Sequence, residues 1–396
     1  MRRHRGRVGL MAVALVGVLV SGASADIVTE RSASVLVFPK VVANGTRDTL
    51  IQITNTSNTM VHAHCFYVNA APTFPELPPH PVENPPLWIE IDFDIWLTKQ
   101  QPTYWVVSTG RQDNDFQQNA DPPCDFTTPN YDCPNAGFDP GAVPPVVEDF
   151  VGELKCIETD QVGAPISGNH LKGEATVITA NVCDPETSTC TVDGSGCSVS
   201  CPSDWDSAKY NAIGIPGNEF NNGDATLCLG GEPNDACPEG AEYDGCPETW
   251  VLNHFSSQAE DPVQGSGSSV RTSVTIVPCT QNFETQDPEL YAIQNLTYDE
   301  FENVFSSSLQ YRCWADVDLE DIDNLFANGD AGGALFTTFA QTRMRPTNGS
   351  QSGFMMVATE AHTSPMDRTA TASYNVHHEG TRGGQDLITI PGEQIQ

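Results

Sequence analysis

The segment 88–97, WIEIDFDIWL in one-letter code, decides the fold class because its apolar and polar residues alternate. Isoleucine, phenylalanine and leucine occupy every second position, and tryptophan or acidic residues stand between them. Successive side chains of a β-strand point to opposite faces, whereas an α-helix would scatter both sets around its circumference. The segment therefore predicts a half-buried β-strand.

Similar short apolar or alternating segments recur on both sides of this strand. They cover residues 35–38, 49–54, 60–69, 104–108, 151–158, 171–180, 250–255, 273–277, 309–314, 335–343 and 353–359. Turn-forming Gly, Pro and Asn separate them, as in chains that fold into short antiparallel strands. We therefore expect a mainly β protein with two β-sandwich domains of the Ig-like or jelly-roll-like kind, disulfide-stapled loop insertions and one or two short helices.

Two segments carry the signals of those helices. Thr297 and Glu300 have the spacing of a capping box, which predicts a short helix that starts after Thr297. Asp318 precedes an apolar stripe at helical spacing that ends before Gly329, which predicts a second helix over residues 319–328 capped by Asp318.

The chain turns polar after residue 280, which favours a domain boundary there. The expected domains are 26–280 and a smaller C-terminal sandwich, 281–396. Within the first, the insertions 112–145 and 183–246 are polar and contain cysteines, so they are expected to form disulfide-stapled loops. The Pro-rich segment 71–86 is expected to be an extended surface connection.

The first 25 residues have the pattern of a secretory signal peptide. Four arginines precede residue 8, an apolar run covers 8–20, and Ala23-Ser24-Ala25 fits a signal-peptidase site before Asp26. The apolar run is shorter than the roughly 20 residues that a membrane span requires. The alternative is an uncleaved anchor. We expect a secreted protein (extracellular, cell-surface or periplasmic) without a transmembrane segment in the mature chain.

The formal net charge of −34 restricts the partners. Phosphate binding needs Lys and Arg, so nucleic acids and anionic membranes are disfavoured. Such acidity suits solubility, a salty habitat or divalent cations. Two acidic loops, 219–224 and 316–323, leave calcium open as the one expected cofactor, although neither follows the twelve-residue calcium-loop pattern.

Thirteen cysteines in an exported chain predict disulfides, and the odd number leaves at least one cysteine without an intrachain partner. Cys124 with Cys133, Cys65 with Cys156 (bridging two sheets) and Cys279 with Cys313 are plausible pairs, but spacing alone cannot fix connectivity. The full set of candidates is Cys65, Cys124, Cys133, Cys156, Cys183, Cys190, Cys197, Cys201, Cys228, Cys237, Cys246, Cys279 and Cys313.

His62 and His64 form the candidate metal site. Two residues apart on a strand, they point to the same side and could share a Zn or Cu ion, given a third ligand. The segment 377–379, His-His-Glu, could supply that ligand. The alternative is an ordinary solvated or domain-facing strand surface, since no closed set of ligand spacings is present.

Three segments carry a family resemblance: 35–40 (VLVFPK), 48–57 (DTLIQITNTS) and 150–156 (FVGELKC). Together they resemble a loose family of uncharacterised exported bacterial proteins with an Ig-like or adhesin-like β-sandwich. The resemblance implies a β-sandwich fold, and the family has no assigned catalytic residues to transfer.

The sequence contains no nucleophile elbow, zinc-protease helix motif, P-loop or dinucleotide fingerprint. We therefore expect a secreted, non-catalytic structural or adhesive protein of the bacterial envelope or exterior that contacts a surface protein or glycan. Trp88, Trp96 and Trp105 are the candidate contact residues. The alternative is a secreted hydrolase, carbohydrate-active or metal-dependent, that uses a carboxylate pair such as Asp92 and Asp94 or a histidine-containing metal site.

Overall fold

The computed structural model describes residues 27–112, 138–180, 190–193, 196–199, 205–219, 221–287, 289–347, 352–365 and 368–392. The expected signal peptide and the side chains of six candidate cysteines lie outside this description: Cys124, Cys133, Cys183, Cys190, Cys197 and Cys201. Within the described ranges, we find no helix that is both long and apolar enough to span a bilayer.

The structure is 55% strand and 4% helix. Its strands are β1 (Val35–Ala43), β2 (Arg47–Asn55), β3 (Val61–Asn69), β4 (Ile89–Leu97), β5 (Pro102–Val106), β6 (Phe150–Thr159), β7 (Leu171–Ala180), β8 (Cys190–Asp193), β9 (Gly196–Val199), β10 (Trp205–Asn211), β11 (Ile213–Ile215), β12 (Thr226–Leu229), β13 (Pro247–Phe255), β14 (Ser269–Pro278), β15 (Gln281–Asn282), β16 (Leu290–Asp299), β17 (Val304–Arg312), β18 (Ala315–Asp318), β19 (Phe339–Pro346), β20 (Phe354–Thr363), β21 (Thr369–Asn375), β22 (His377–Thr381) and β23 (Asp386–Thr389). One α-helix, α1 (Leu319–Ile322), and two 3₁₀ turns, Asn324–Phe326 and Gly329–Ala331, complete the set.

The expectation of two β-sandwich domains is wrong. The strands form five small sheets, arranged as a five-blade β-propeller, together with the separate hairpin β8–β9. Sheet 1 has the order β11-β1-β6-β3-β4, sheet 2 β10-β7-β2-β5, sheet 3 β12-β23-β15, sheet 4 β17-β16-β19-β13-β22, and sheet 5 β18-β14-β20-β21. Alternation predicts that a strand has one buried face, but it carries no information on how the sheets are arranged, so both architectures fit the same sequence pattern.

Buried side chains form one continuous core cluster from Ile27 to Ile390. Between sheets 1 and 2, Trp105 of β5 donates a hydrogen bond of 2.5 Å to the hydroxyl of Tyr67 on β3. Between sheets 4 and 5, Trp250 of β13 donates to the backbone oxygen of Phe354 on β20 at 2.8 Å. The large aromatic residues thus lie where the faces of sheets meet.

Strands on the two sides of residue 280 hydrogen-bond to each other. The strand β13 pairs with β19 and β22, and β14 pairs with β18 and β20. Sheet 3 combines three segments that are far apart in sequence, with β23 between β12 and β15. The segments 247–255 and 269–278 therefore belong to sheets 4 and 5, together with strands from beyond residue 280.

The helix expected after Thr297 is absent, because residues 297–299 continue β16: Thr297 and Tyr298 pair with both β17 and β19, and Asp299 pairs with β19. Asp299 closes the following turn by accepting hydrogen bonds from the backbone of Phe301 and Asn303. The second expected helix is only four residues long, and the side chain of Asp318 makes no capping bond. Sheet pairing outweighs the local helix signal at Thr297, whereas residues 319–328 form α1 followed by the 3₁₀ turn Asn324–Phe326, with Asp323 in extended backbone between them.

Candidate functional site

His62 and His64 lie on β3 and face the same side of sheet 1, as their spacing predicts. The register places His62 opposite Trp96 and His64 opposite Asp94 on the neighbouring β4. The Oδ1 atom of Asp94 lies 2.8 Å from His62 Nε2 and 2.8 Å from His64 Nδ1. One carboxylate oxygen therefore bridges the two imidazole rings.

The remaining ring nitrogens differ in their surroundings. His62 Nδ1 lies 2.8 Å from the hydroxyl of Thr159 and 2.8 Å from the backbone oxygen of Asp160, and its ring stacks on Trp96 with centroids 3.9 Å apart. His64 Nε2 is buried and lies 3.4 Å from Oδ2 of Asp92, an ion-pair contact longer than a normal hydrogen bond. Both ring nitrogens of His64 therefore face carboxylates, Nδ1 that of Asp94 and Nε2 that of Asp92.

The cluster is charged at neutral pH. Burial of the His64 imidazole opposes its protonation, but its polar contacts with Asp92 and Asp94 and the negative charges of these carboxylates outweigh burial and raise its pKa from 6.5 to about 9. Burial favours the neutral acid at Asp94, but the hydrogen bonds and charges of both histidines hold its pKa well below the usual range. Burial, together with the charge of Asp92, raises the pKa of the neighbouring Glu90 to about 7.

This arrangement does not present a ready set of metal ligands. A protonated His64 must lose its proton before it can bind a cation. Within the described ranges, the one group of three His, Cys, Asp or Glu ligand atoms within 4.8 Å of one another is Cys246, Cys279 and Asp386, and its two cysteines are joined in a disulfide.

The third ligands expected from residues 377–379 lie on β22 in sheet 4, where Glu379 pairs with Arg343. They are not among the contacts that surround His62 and His64. A Zn or Cu ion at His62 and His64 stays a prediction, and it would have to displace Asp94 from at least one ring.

The acidic loops considered for calcium use their oxygen atoms internally. In loop 219–224, Asn222 and Asp224 accept hydrogen bonds from backbone amides two residues further along the chain. In segment 316–323, Asp316 binds the ammonium group of Lys40 at 3.0 Å and the hydroxyl of Thr275 at 2.7 Å. Calcium binding stays a prediction at both loops.

Of the three candidate contact tryptophans, two belong to the core. Trp88 is 3% exposed and Trp105 is 1% exposed, so neither can contact a partner. Trp88 has a φ of 52° and precedes the first residue of β4, so the alternation that places position 88 on the polar face does not extend to it. Trp96 is half-buried against His62.

The connection before β4, which we name the Pro-rich loop (residues 70–88), exposes several apolar side chains. It contains seven prolines. Four of its large apolar side chains are more than a third exposed: Phe74 at 48%, Leu77 at 50%, Val82 at 61% and Leu87 at 39%. Ile89, at the start of β4, is 50% exposed as well. The sequence predicts only a connection here, although the four large apolar residues among seven prolines are visible in it.

The Pro-rich loop is held in one conformation by Asn84, whose side chain is 2% exposed. Its amide nitrogen donates to the backbone oxygens of Phe74, Leu77 and Pro78 at 3.0, 3.0 and 3.1 Å. Its oxygen accepts from the backbone amide of Phe74 at 2.8 Å. Arg312, at the end of β17, donates to the backbone oxygen of Pro81 and ties the loop to sheet 4.

Three disulfides are present in the described part of the chain: Cys65–Cys156, Cys228–Cys237 and Cys246–Cys279. Cys65 and Cys156 lie on the adjacent strands β3 and β6 of sheet 1, so this bond does not bridge two sheets. The expected pair Cys279–Cys313 is wrong, because Cys279 bonds to Cys246 and Cys313 is a buried free thiol. Burial raises the pKa of Cys313, which keeps the thiol protonated.

Comparison with known proteins adds no assignment to this geometry. No protein-family model matches the chain, and no curated protein sequence matches it significantly.

Proposed function

We propose that this protein is an exported, non-catalytic binding or structural protein of the bacterial envelope or exterior, and that the Pro-rich loop contacts its partner. The observation that carries the proposal is the combination of four exposed apolar side chains with a backbone fixed around Asn84. Large apolar side chains exposed together on one loop are typical of interaction sites. A loop that is already ordered loses little conformational entropy on binding, which favours affinity.

The chemistry of the loop favours a protein partner. Phe74, Leu77, Val82 and Leu87 offer no side-chain hydrogen-bonding groups, whereas glycan recognition needs polar groups that match sugar hydroxyls. The net charge of −34 disfavours nucleic acid and anionic lipid. Export is supported by the three disulfides, which form and persist in oxidising compartments.

The experiment compares capture of proteins from the envelope and exterior fractions of the source cells by wild type and by the double variant Leu77→Ser/Val82→Ser. We expect at least tenfold weaker capture by the variant, since truncating central apolar contacts costs about 1–2 kcal/mol each. Val263→Ser is the matched control, because Val263 is 93% exposed and lies outside the loop. Equal capture by all three proteins would contradict the role of the loop.

A secreted hydrolase is the second candidate, favoured by Glu90. The pKa of Glu90 is raised to about 7 by burial and by the nearby charge of Asp92. One oxygen of the Glu90 carboxyl group is buried without a hydrogen-bond partner. A protonated carboxylic acid near an ionised carboxylate is the combination that glycosidases use. Polysaccharide hydrolysis by the wild type that is lost in Glu90→Gln would favour this candidate over the binding protein.

A further inference from the structure

The strand β17 forms one edge of sheet 4. Among the described residues, β16 is the only strand that pairs with it. Over nine residues, VFSSSLQYR, it contains no proline and no charged residue before Arg312. Exposed edges of this kind are templates for pairing with another strand, and natural proteins usually protect them with charges, prolines or covering segments.

The other long edge strands of the described sheets carry such protection. The strand β4 presents Glu90, Asp92 and Asp94. The strands β10 and β21 cover each other, since Asn375 exchanges two hydrogen bonds with the backbone of Asn211. The remaining edge strands are five residues or shorter: β5, β11, β12, β15, β18 and β22. Among the long edge strands of the described sheets, β17 is therefore the one without such protection.

The hydrogen-bonding pattern shows which backbone groups of β17 face outward. The amide of Asp299 donates to the backbone oxygen of Asn303, so this pair is hydrogen-bonded across the turn. Hydrogen-bonded pairs alternate along an antiparallel ladder, and the odd-numbered residues of β17 therefore bond to β16. The amides and carbonyls of Val304, Ser306, Ser308 and Gln310 consequently point away from the sheet.

We propose that β17 pairs with β17 of a second copy of this chain, antiparallel and centred on Ser307, so that two copies of sheet 4 join. This register matches the outward-facing groups: Val304 pairs with Gln310 and Ser306 with Ser308 of the other copy. Phe305 then lies opposite Leu309 on the half-buried face, an apolar cross-strand pair. The two-fold arrangement uses the same surface on both copies.

Self-complementarity of β17 favours a second copy over another strand, because the same register satisfies the outward-facing groups of both copies and pairs Phe305 with Leu309 twice. The paired residues from Val304 to Gln310 are uncharged, so no like charges oppose each other. Repulsion between two acidic molecules acts over longer distances and is screened within about 8 Å at physiological salt. The inference does not depend on the proposed role of the Pro-rich loop.

Cysteine cross-linking tests the register in the full chain at 0.15 M salt. In the proposed pairing, the two Ser307 residues form a non-hydrogen-bonded pair, with Cα atoms about 4.5 Å apart. This lies within the disulfide range, and the register partners Cys65 and Cys156 are bonded in this protein at a Cα–Cα distance of 4.0 Å. We expect Ser307→Cys to form a covalent dimer under oxidising conditions, whereas Ser306→Cys, which lies opposite Ser308, does not cross-link to itself. The double variant Ser306→Cys/Ser308→Cys should cross-link again.

Molar mass measured by light scattering provides the second readout. We expect wild type and Ser308→Ala to show a concentration-dependent dimer, and Ser308→Pro, which removes one outward N–H, to remain monomeric. Circular dichroism establishes that Ser308→Pro is folded; if it is not, the cross-linking series decides alone. A wild type that is monomeric at every concentration, or equal cross-linking of Ser306→Cys and Ser307→Cys, would overturn the proposal.

Discussion

The imidazole of His64 is the side chain whose charge the structure controls most clearly. It lies between Asp94, at 2.8 Å, and Asp92, at 3.4 Å. These carboxylates outweigh the unfavourable burial of a cation and raise the pKa of His64 to about 9. A histidine whose pKa is raised in the folded state stabilises the fold while it is protonated. His64 is therefore expected to act as a fixed positive charge at neutral pH.

This expectation has a defined pH range. The stabilisation is fully present below the unfolded-state pKa of 6.5 and is lost as the pH rises through about 9. We expect roughly 1–3 kcal/mol of the free energy of unfolding to disappear between pH 6.5 and pH 9.5, with the upper value reduced because solvent screens the half-exposed aspartates. Urea unfolding at these two pH values should show this loss in wild type but not in His64→Gln.

His377→Gln is the control for that experiment, because His377 is exposed on β22. It should keep the wild-type pH dependence. If His64→Gln and His377→Gln show the same difference between pH 6.5 and pH 9.5, the stabilising role of the charged His64 is contradicted.

Sequence reasoning placed His62 and His64 on one face of a strand because the two-residue period depends only on local geometry. It could not place Asp94 between them, since the register of β3 against β4 depends on the whole sheet. The position of Trp88 was missed for a related reason. The left-handed backbone of Trp88 interrupts the alternation at the start of β4, and no local sequence pattern predicts that change.

Strand segments were predicted more successfully than their arrangement. The segment 89–97 forms β4 and the segment 171–180 forms β7, because alternation reports directly on half-buried strands. The capping-box pattern at Thr297 failed because β17 and β19 offer the same backbone groups longer-range partners. The number of sheets and their order depend on contacts between distant segments, on which a single sequence carries little information.

Two disulfides that close loops of very different length allow a prediction of how much each bond stabilises the fold. Cys65–Cys156 connects residues 91 positions apart, whereas Cys228–Cys237 spans only 9. A longer closed loop removes more entropy from the unfolded chain, and the simple chain-entropy relation gives a difference of about 2 kcal/mol between the two bonds. We expect Cys65→Ala/Cys156→Ala to lower the free energy of unfolding by about that much more than Cys228→Ala/Cys237→Ala does.

Urea unfolding of both double variants under non-reducing conditions measures this difference. Far-ultraviolet circular dichroism should confirm that each variant retains its strands before unfolding. An equal loss in the two variants would indicate that strain or packing, rather than loop closure, determines the contribution of Cys65–Cys156.

At the scale of the whole molecule, a buried polar network joins sheet 1 to sheet 3. Lys155 and Glu153 on β6 are both fully buried, with Nζ and Oε2 2.8 Å apart. Gln281 on β15 completes the network: its side-chain oxygen accepts from Lys155 and its amide donates to Glu153. Two residues further along, Phe283 stacks on Phe66 of β3 with ring centroids 4.5 Å apart. Sheet 1 is thereby attached to a segment more than 120 residues away in the sequence.

This network is expected to specify how the sheets fit together more than to add stability. Burial lowers the pKa of Lys155, and the charge of Glu153 opposes that effect. Removing one charge leaves the other buried and unpaired, so Lys155→Met should lower the free energy of unfolding by about 3–5 kcal/mol. Replacing the whole network with apolar groups of similar size, in Glu153→Leu/Lys155→Met/Gln281→Leu, removes the unpaired charge as well, and this variant should lie within about 2 kcal/mol of wild type. Urea unfolding decides between the alternatives: a triple variant as unstable as Lys155→Met would show that the ion pair itself stabilises the contact between sheets 1 and 3.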